Sequence, residues 1–257
     1  MTGDELLRAG DLDSARAALV ETVKQNPSDQ GARMFLWQLM ALSGEWDKAA
    51  GQLRTLATLS AEAQMLATVY SQAIAVEKVR AAAYAGAAPF PVLVASSPWI
   101  ETLAGALSAG TPQETERLRD EAFDAAGDTP GEVGDQKFGW IADVDSRLGP
   151  ALEAIVAGKW GLIPFEAVTQ IKTEGPRDLR DLIWLPAELS LRSGQSVATL
   201  LPARYPGSET GSAEVRLGRV TDWRAGLSGD EPIGQRVWAT DTGQEIGMLD
   251  FNQIQFV

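Results

Sequence analysis

The chain of 257 residues contains no cysteine and no histidine. Without cysteine there are no disulfides and no thiolate nucleophiles, and without either residue there are no Cys/His zinc sites. Lacking imidazole, it cannot use a catalytic triad or any acid–base scheme that needs a histidine. Chemistry would have to rest on Asp/Glu, Lys, Tyr, Ser/Thr or an oxygen-ligated metal. Long apolar runs are missing too: nowhere do about 18 apolar residues follow one another, so no membrane-spanning helix is expected. Positive charge is scarce, with 22 Lys and Arg against 35 Asp and Glu and a net charge of −13. Such a surface repels DNA and RNA, so no nucleic-acid partner is expected. The opening MTGDELLRAGDLDSARAALV has neither the basic start nor the apolar stretch of a signal peptide, and the chain is expected to be cytoplasmic.

A 45% share of hydrophobic residues suffices for a packed core. Residues 1–127 hold 9 glycines and 5 prolines, whereas 128–257 hold 16 and 8. Apolar residues recur at helical spacing in the first half and in short, turn-bounded runs in the second. The expected fold is α+β: a tetratricopeptide-like α-helical array over 1–127, then an antiparallel β module over 128–257, a small barrel or sandwich. Gly127–Gly131 marks the boundary.

The helical half repeats itself. Gly10-Asp11-Leu12 returns 34 residues later as Gly44-Glu45-Trp46, and the same shift carries Ala15 onto Ala49 and Leu19 onto Leu53. That is the period of the tetratricopeptide repeat, a pair of antiparallel helices. Longer helices are predicted over 61–85, from Ser97-Pro98, and from the capping sequence Thr111-Pro112-Gln113-Glu114 to Ala126. Pro89-Phe90-Pro91 enforces an extended crossing. Strands are expected around 152–156, 159–164, 168–173, 189–191, 197, 237–239, 246–248 and 251–257.

Helical arrays bind partners along concave faces. Met34, Gln38 and Ala41, spaced i, i+4, i+7, and then Met65, Thr68 and Gln72, form a candidate groove for a partner helix; as core residues they would instead pack between repeats. Asp143, Asp145 and Arg147 form a dense polar cluster, with the two acids expected on one strand face. The arginines Arg147, Arg180 and Arg204 make a salt-bridge lattice the favoured reading over a cation site or an acid–base pair, so neither a metal nor a cofactor is expected. Asp178, Arg180 and Asp181 read as a charged turn feeding Leu182-Ile183-Trp184. Arg204, Tyr205 and Glu209 suggest an exposed turn and a second partner surface. Most of the eight tryptophans are expected in the core.

Several strings are specific: WIADVDSRLGP (Trp140–Pro150), GKWGLIPFEAV (Gly158–Val168), DLRDLIWLPAEL (Asp178–Leu189), PARYPGSE (Pro202–Glu209) and GQR (Gly234–Arg236). With LLRAGDLDSARAAL near the start, they resemble the ImpE/TagJ (SciE-type) family of type VI secretion accessory proteins. Lys159-Trp160 departs from the Arg-Tyr of that pattern, and 86–98 match weakly. The resemblance implies a non-enzymatic cytosolic adaptor that binds the N-terminal helix of the small contractile-sheath subunit and is linked to the AAA+ ATPase that recycles sheath. A baseplate scaffold and a carboxylate- or metal-dependent hydrolase are the competing readings.

Overall fold

A computed structural model describes residues 3–226 and 229–257. Seven helices come first: α1 (Gly3–Arg8), α2 (Leu12–Gln25), α3 (Gln30–Leu42), α4 (Trp46–Ala57), α5 (Ala61–Tyr84), α6 (Pro98–Leu107) and α7 (Pro112–Ala125). Polar residues start four of them. Asp11, Asp29, Ser60 and Thr111 each accept the backbone N–H three residues on, satisfying a donor the helix leaves open. The 34-residue repeat appears in the backbone itself. Gly10 and Gly44 have φ of 78° and 71°, and their flanks share one hydrogen-bond pattern: Asp11 N–H reaches Leu6 O, and Glu45 N–H reaches Met40 O. Glycine adopts that left-handed turn without a Cβ penalty. Ala15 and Ala49 behind it are fully buried.

The second half contributes β1 (Gly131–Val133), β2 (Gln136–Phe138), β3 (Ile141–Asp143), β4 (Ala151–Val156), β5 (Lys159–Pro164), β6 (Val168–Thr173), β7 (Trp184–Leu191), β8 (Ser196–Pro202), a one-turn helix α8 (Ala213–Arg216), β9 (Thr221–Gly226), β10 (Gly229–Gly234), β11 (Val237–Thr240), β12 (Glu245–Gly247) and β13 (Gln253–Phe256). Eight strands form one antiparallel sheet in the order β2-β1-β13-β6-β7-β8-β4-β5; β12-β11-β3 form a second sheet and β10-β9 a hairpin. The architecture is α+β. The short helix α1, the strands β1 to β3 and the β9–β10 hairpin carry too little apolar periodicity to stand out in the sequence.

Two apolar clusters hold the molecule together. One lies within the β half and includes Leu152, Phe165, Trp238 and Ile254. The other runs from Leu12 through the helices and takes in Ile155, Trp160, Leu162, Trp184 and Leu200, so the array and the sheet share a core. Trp37, Trp99, Trp160, Trp184 and Trp238 are buried, while Trp140 and Trp223 are exposed. Among the described residues no helix is long and apolar enough to cross a membrane.

Candidate functional site

Helix α5 joins the two halves. Tyr70, Ala73, Glu77 and Arg80 follow one another at helical spacing and are all buried. The Tyr70 ring lies 5.5 Å from that of Trp37 and 6.0 Å from that of Trp184, the first residue of β7. Trp46, two residues after the repeat glycine Gly44, comes within 5.9 Å of Trp184. The Trp184 indole donates to Glu77 Oε1 at 2.7 Å. The chain's own β half thus packs against α3, α4 and α5 through Trp184.

Below these rings lies a buried ionic network. Arg80 meets Glu153 of β4 at two points and also reaches the carbonyl of Arg204 at 3.0 Å. The Glu153 carboxylate accepts bonds from Trp160 Nε1 at 2.8 Å, from the Tyr84 hydroxyl at 3.0 Å and from Arg236. Arg236 spans from Glu153 to Asp143, the latter at 2.5 Å. Asp143 Oδ1 accepts the Tyr205 hydroxyl at 2.9 Å and the Asp145 N–H at 2.9 Å. Asp145 in turn holds Arg147 by a fork of 2.8 and 2.7 Å, and Arg147 continues to Glu231 of β10 at 3.1 Å. Burial alone would raise the Glu153 carboxyl, but Arg80 and Arg236 outweigh it and hold it at about 2. For Asp143 burial wins: against the pull of Arg236, and with Asp145 nearby, its carboxyl is pushed up to about 6.

This geometry corrects the sequence reading in three ways. Asp143 ends β3 whereas Asp145 lies in the turn beyond it, so the two acids do not share a strand face. Asp143 and Asp145 are engaged by Arg236 and Arg147, while Arg180 and Arg204 lie elsewhere. Arg180 pairs with Asp178 and stacks 5.2 Å over Tyr70, and Arg204 donates to the carbonyls of Leu42 and Arg216, where α3 and α8 end. Finally, Arg204 and Tyr205 are not an exposed turn. They are 4% and 1% exposed, and an antiparallel bridge from Arg204 to Gln235, just after β10, ties the segment into the fold. Only Glu209 of that trio stays partly open, lying against Gly44. Of the residues that sequence reasoning missed, Glu77 and Arg80 carried the signal of a charge on an otherwise apolar helix face and Glu153 that of a charge inside the apolar run of β4, whereas Arg236 stood out only within the GQR string. Among the described residues no three carboxylates gather as a metal site.

The candidate groove residues separate into two places. Met34 and Gln38 line an open groove of about 520 Å³ with Leu7, Phe35, Pro176, Leu179 and Leu182. Gln38 is itself buried, its Oε1 accepting the Arg180 N–H at 3.1 Å, and Ala41 is fully buried. A second groove of about 490 Å³ shares Leu7, Pro176, Leu179 and Leu182 and extends to Leu217 and Leu249. Met65, Thr68 and Gln72 line neither groove and are exposed along the outer side of α5.

Comparison with known proteins agrees with this organisation. The profile of the family described as "ImpE protein" matches residues 135–255. A crystal structure of protein VPA1032 from Vibrio parahaemolyticus, 22% identical, has the same fold, with a TM-score of 0.84 over 99% of this chain and 97% of that one. The type VI secretion system accessory component TagJ of Pseudomonas aeruginosa PAO1 is 43% identical over 260 residues, spanning 100% of this chain and 91% of the relative. With a relative that similar aligned from end to end, and with the family profile on its β half, the chain belongs to the ImpE/TagJ family.

Proposed function

We propose that the protein is a cytoplasmic type VI secretion accessory adaptor that binds without turnover, holding the N-terminal helix of the small contractile-sheath subunit. The observation that carries this reading is the groove where α3 meets residues 176–182. Its apolar floor includes Leu7, Met34, Phe35, Leu179 and Leu182, with Gln38, Arg177 and Asp178 also lining the groove. Methionine adapts to the varied face of a helical ligand, and helix-in-groove binding needs such a floor. The matched 34-residue turns support a tetratricopeptide-like origin for the array. A net charge of −13 favours a basic rim on the bound helix. The link to the sheath-recycling AAA+ ATPase belongs to the same adaptor reading and requires a surface outside this groove.

Calorimetric titration with a peptide covering that helix tests the proposal. We expect one-to-one binding that weakens at least about tenfold, roughly 1.4 kcal/mol, in Met34→Glu. Unchanged affinity in the variant would remove the groove assignment, and no binding at high micromolar peptide would remove the adaptor reading for this helix.

A further inference from the structure

A cavity of about 240 Å³ opens where the end of α5, the α6–α7 connection, the turn after β3 and the start of β10 meet. Its floor is apolar: Ala83, Phe90, Leu103 and Ala106 are buried there and Leu107 is half-buried. An apolar cavity of about 150 Å³ already holds a benzene molecule. This one has room for a phenyl or leucyl side chain together with the carbon that bears it. Gly86, Gly110 and Gly229 belong to the lining, and a Cβ on any of them would meet nothing within 4 Å, so the space in front of them is unfilled.

Five charged side chains line the cavity, and three of them are spent on one another. Asp145 grips Arg147 by the fork described above, and Arg147 reaches Glu231 at 3.1 Å. The other two, Arg119 of α7 and Asp230 of β10, are not paired with each other. Arg119 has an ion contact of 3.7 Å with its neighbour Asp120, whose side chain is 63% exposed, and its guanidinium donates no hydrogen bond among the described residues. The Asp230 carboxylate has neither a hydrogen bond nor an ion pair among those residues. The cavity thus presents one unspent cation and one unspent anion beside an apolar floor. The Arg147–Glu231 pair anchors β10 one residue along from Asp230.

We propose that this cavity is a binding site for a free α-amino acid with a large apolar side chain. The side chain fills the space over Phe90, Leu103 and Leu107, the α-carboxylate meets Arg119 and the α-ammonium meets Asp230. Bonds between such charged groups are the strong ones, and the Arg119 side chain is 22% exposed, so water screens it less than it does a fully solvated arginine. A purely apolar molecule would leave both charges without a partner, and a simple carboxylate would be repelled by Asp230. A zwitterion satisfies both. The site shares no residue with the groove proposed for the sheath helix and stands whether or not that helix binds.

Calorimetric titration of the intact protein with L-phenylalanine and L-leucine is the test. It is repeated with hydrocinnamate, which lacks the ammonium of phenylalanine, and with L-phenylalaninamide, which lacks its carboxylate. We expect saturable one-to-one binding of at least one of the two amino acids, weakened at least about tenfold by Arg119→Gln and by Asp230→Asn. Neither side chain is buried, so each variant should keep the melting temperature of the unsubstituted protein. The loss should follow the group removed: Asp230→Asn should not weaken hydrocinnamate, and Arg119→Gln should not weaken L-phenylalaninamide. No saturable binding of either amino acid at about 10 mM overturns the proposal. So does an affinity that either variant leaves unchanged, or an analogue that binds as tightly as phenylalanine itself.

Discussion

Arg80 of α5 and Glu153 of β4 form a two-point ion pair, Nε to Oε1 at 2.8 Å and Nη2 to Oε2 at 3.0 Å, and neither side chain is open to solvent. Buried charges are costly unless every lone pair finds a donor. Glu153 meets that condition through Arg80, Arg236, Trp160 and Tyr84 together. Glu153→Gln keeps the shape but leaves two guanidinium groups short of an anion. Urea denaturation should show a loss of about 3–5 kcal/mol, the range for breaking a buried pair from one side.

The same network makes stability depend on pH in two opposed ways. Glu153 is held at about 2, below its ordinary 4.5, so its contribution is complete above pH 4.5 and is lost as pH falls towards 2. Asp143 is raised from 3.8 to about 6, so the folded state holds a proton that the unfolded chain has lost, and stability falls as pH rises from 3.8 through 6. Asp143→Asn removes the second effect alone. Its stability relative to the unsubstituted protein should therefore improve by about 2 kcal/mol between pH 4 and pH 7, since each tenfold difference in proton affinity is worth about 1.4 kcal/mol. A difference that stays flat across that range, measured by urea titration at each pH, would contradict the assignment.

The repeat turns give a matched pair of substitutions. Gly10 and Gly44 share a left-handed backbone, so alanine strains both alike, by about 1 kcal/mol. At Gly10 the nearest atoms to a new Cβ are 3.9 Å away; at Gly44 the new Cβ would lie 2.6 Å from Glu209 Cγ. Gly44→Ala should lower the melting temperature more than Gly10→Ala, and Glu209→Ala should bring the two into line.

Because Trp184 and Leu200 belong to the same apolar cluster as Trp37 and Leu53, the helical and β halves should unfold together. Helix content by circular dichroism and tryptophan fluorescence should report one coincident transition. Trp184→Ala, which empties the space between Tyr70 and Trp46, should shift both by about 3–5 kcal/mol. Two separate transitions would show that the shared core is not cooperative.

How much of this is legible in the sequence follows from what each signal depends on. Strands β4 to β8 and the helices after Ser60 and Thr111 announce themselves by local period and capping, which need only neighbours in the chain. Gly10 and Gly44 are legible because a repeat compares the sequence with itself. Asp143 and Arg147 stand out as a cluster, but the partner of Asp143 is Arg236, 93 residues away, and no local pattern joins them. Arg204 and Tyr205 look exposed in the sequence because a Pro-Gly turn follows them; a pairing with Gln235 decides otherwise. Gln38 fits an open helix face for the same reason, since its cover, the backbone of Arg180, arrives from 142 residues later in the chain.

The place of β13 in the sheet sets the order of events during synthesis. It is the last strand in the chain, yet it lies between β1 and β6, so β1 and β2 have no attachment to the rest of the sheet until residues 253–256 are available. A growing chain emerging from the ribosome carries its helices first, with the Trp37 and Tyr70 rings uncovered for as long as β7 is still inside the exit tunnel. Anything that slows translation over the second half prolongs that interval, and chaperone demand should rise with it.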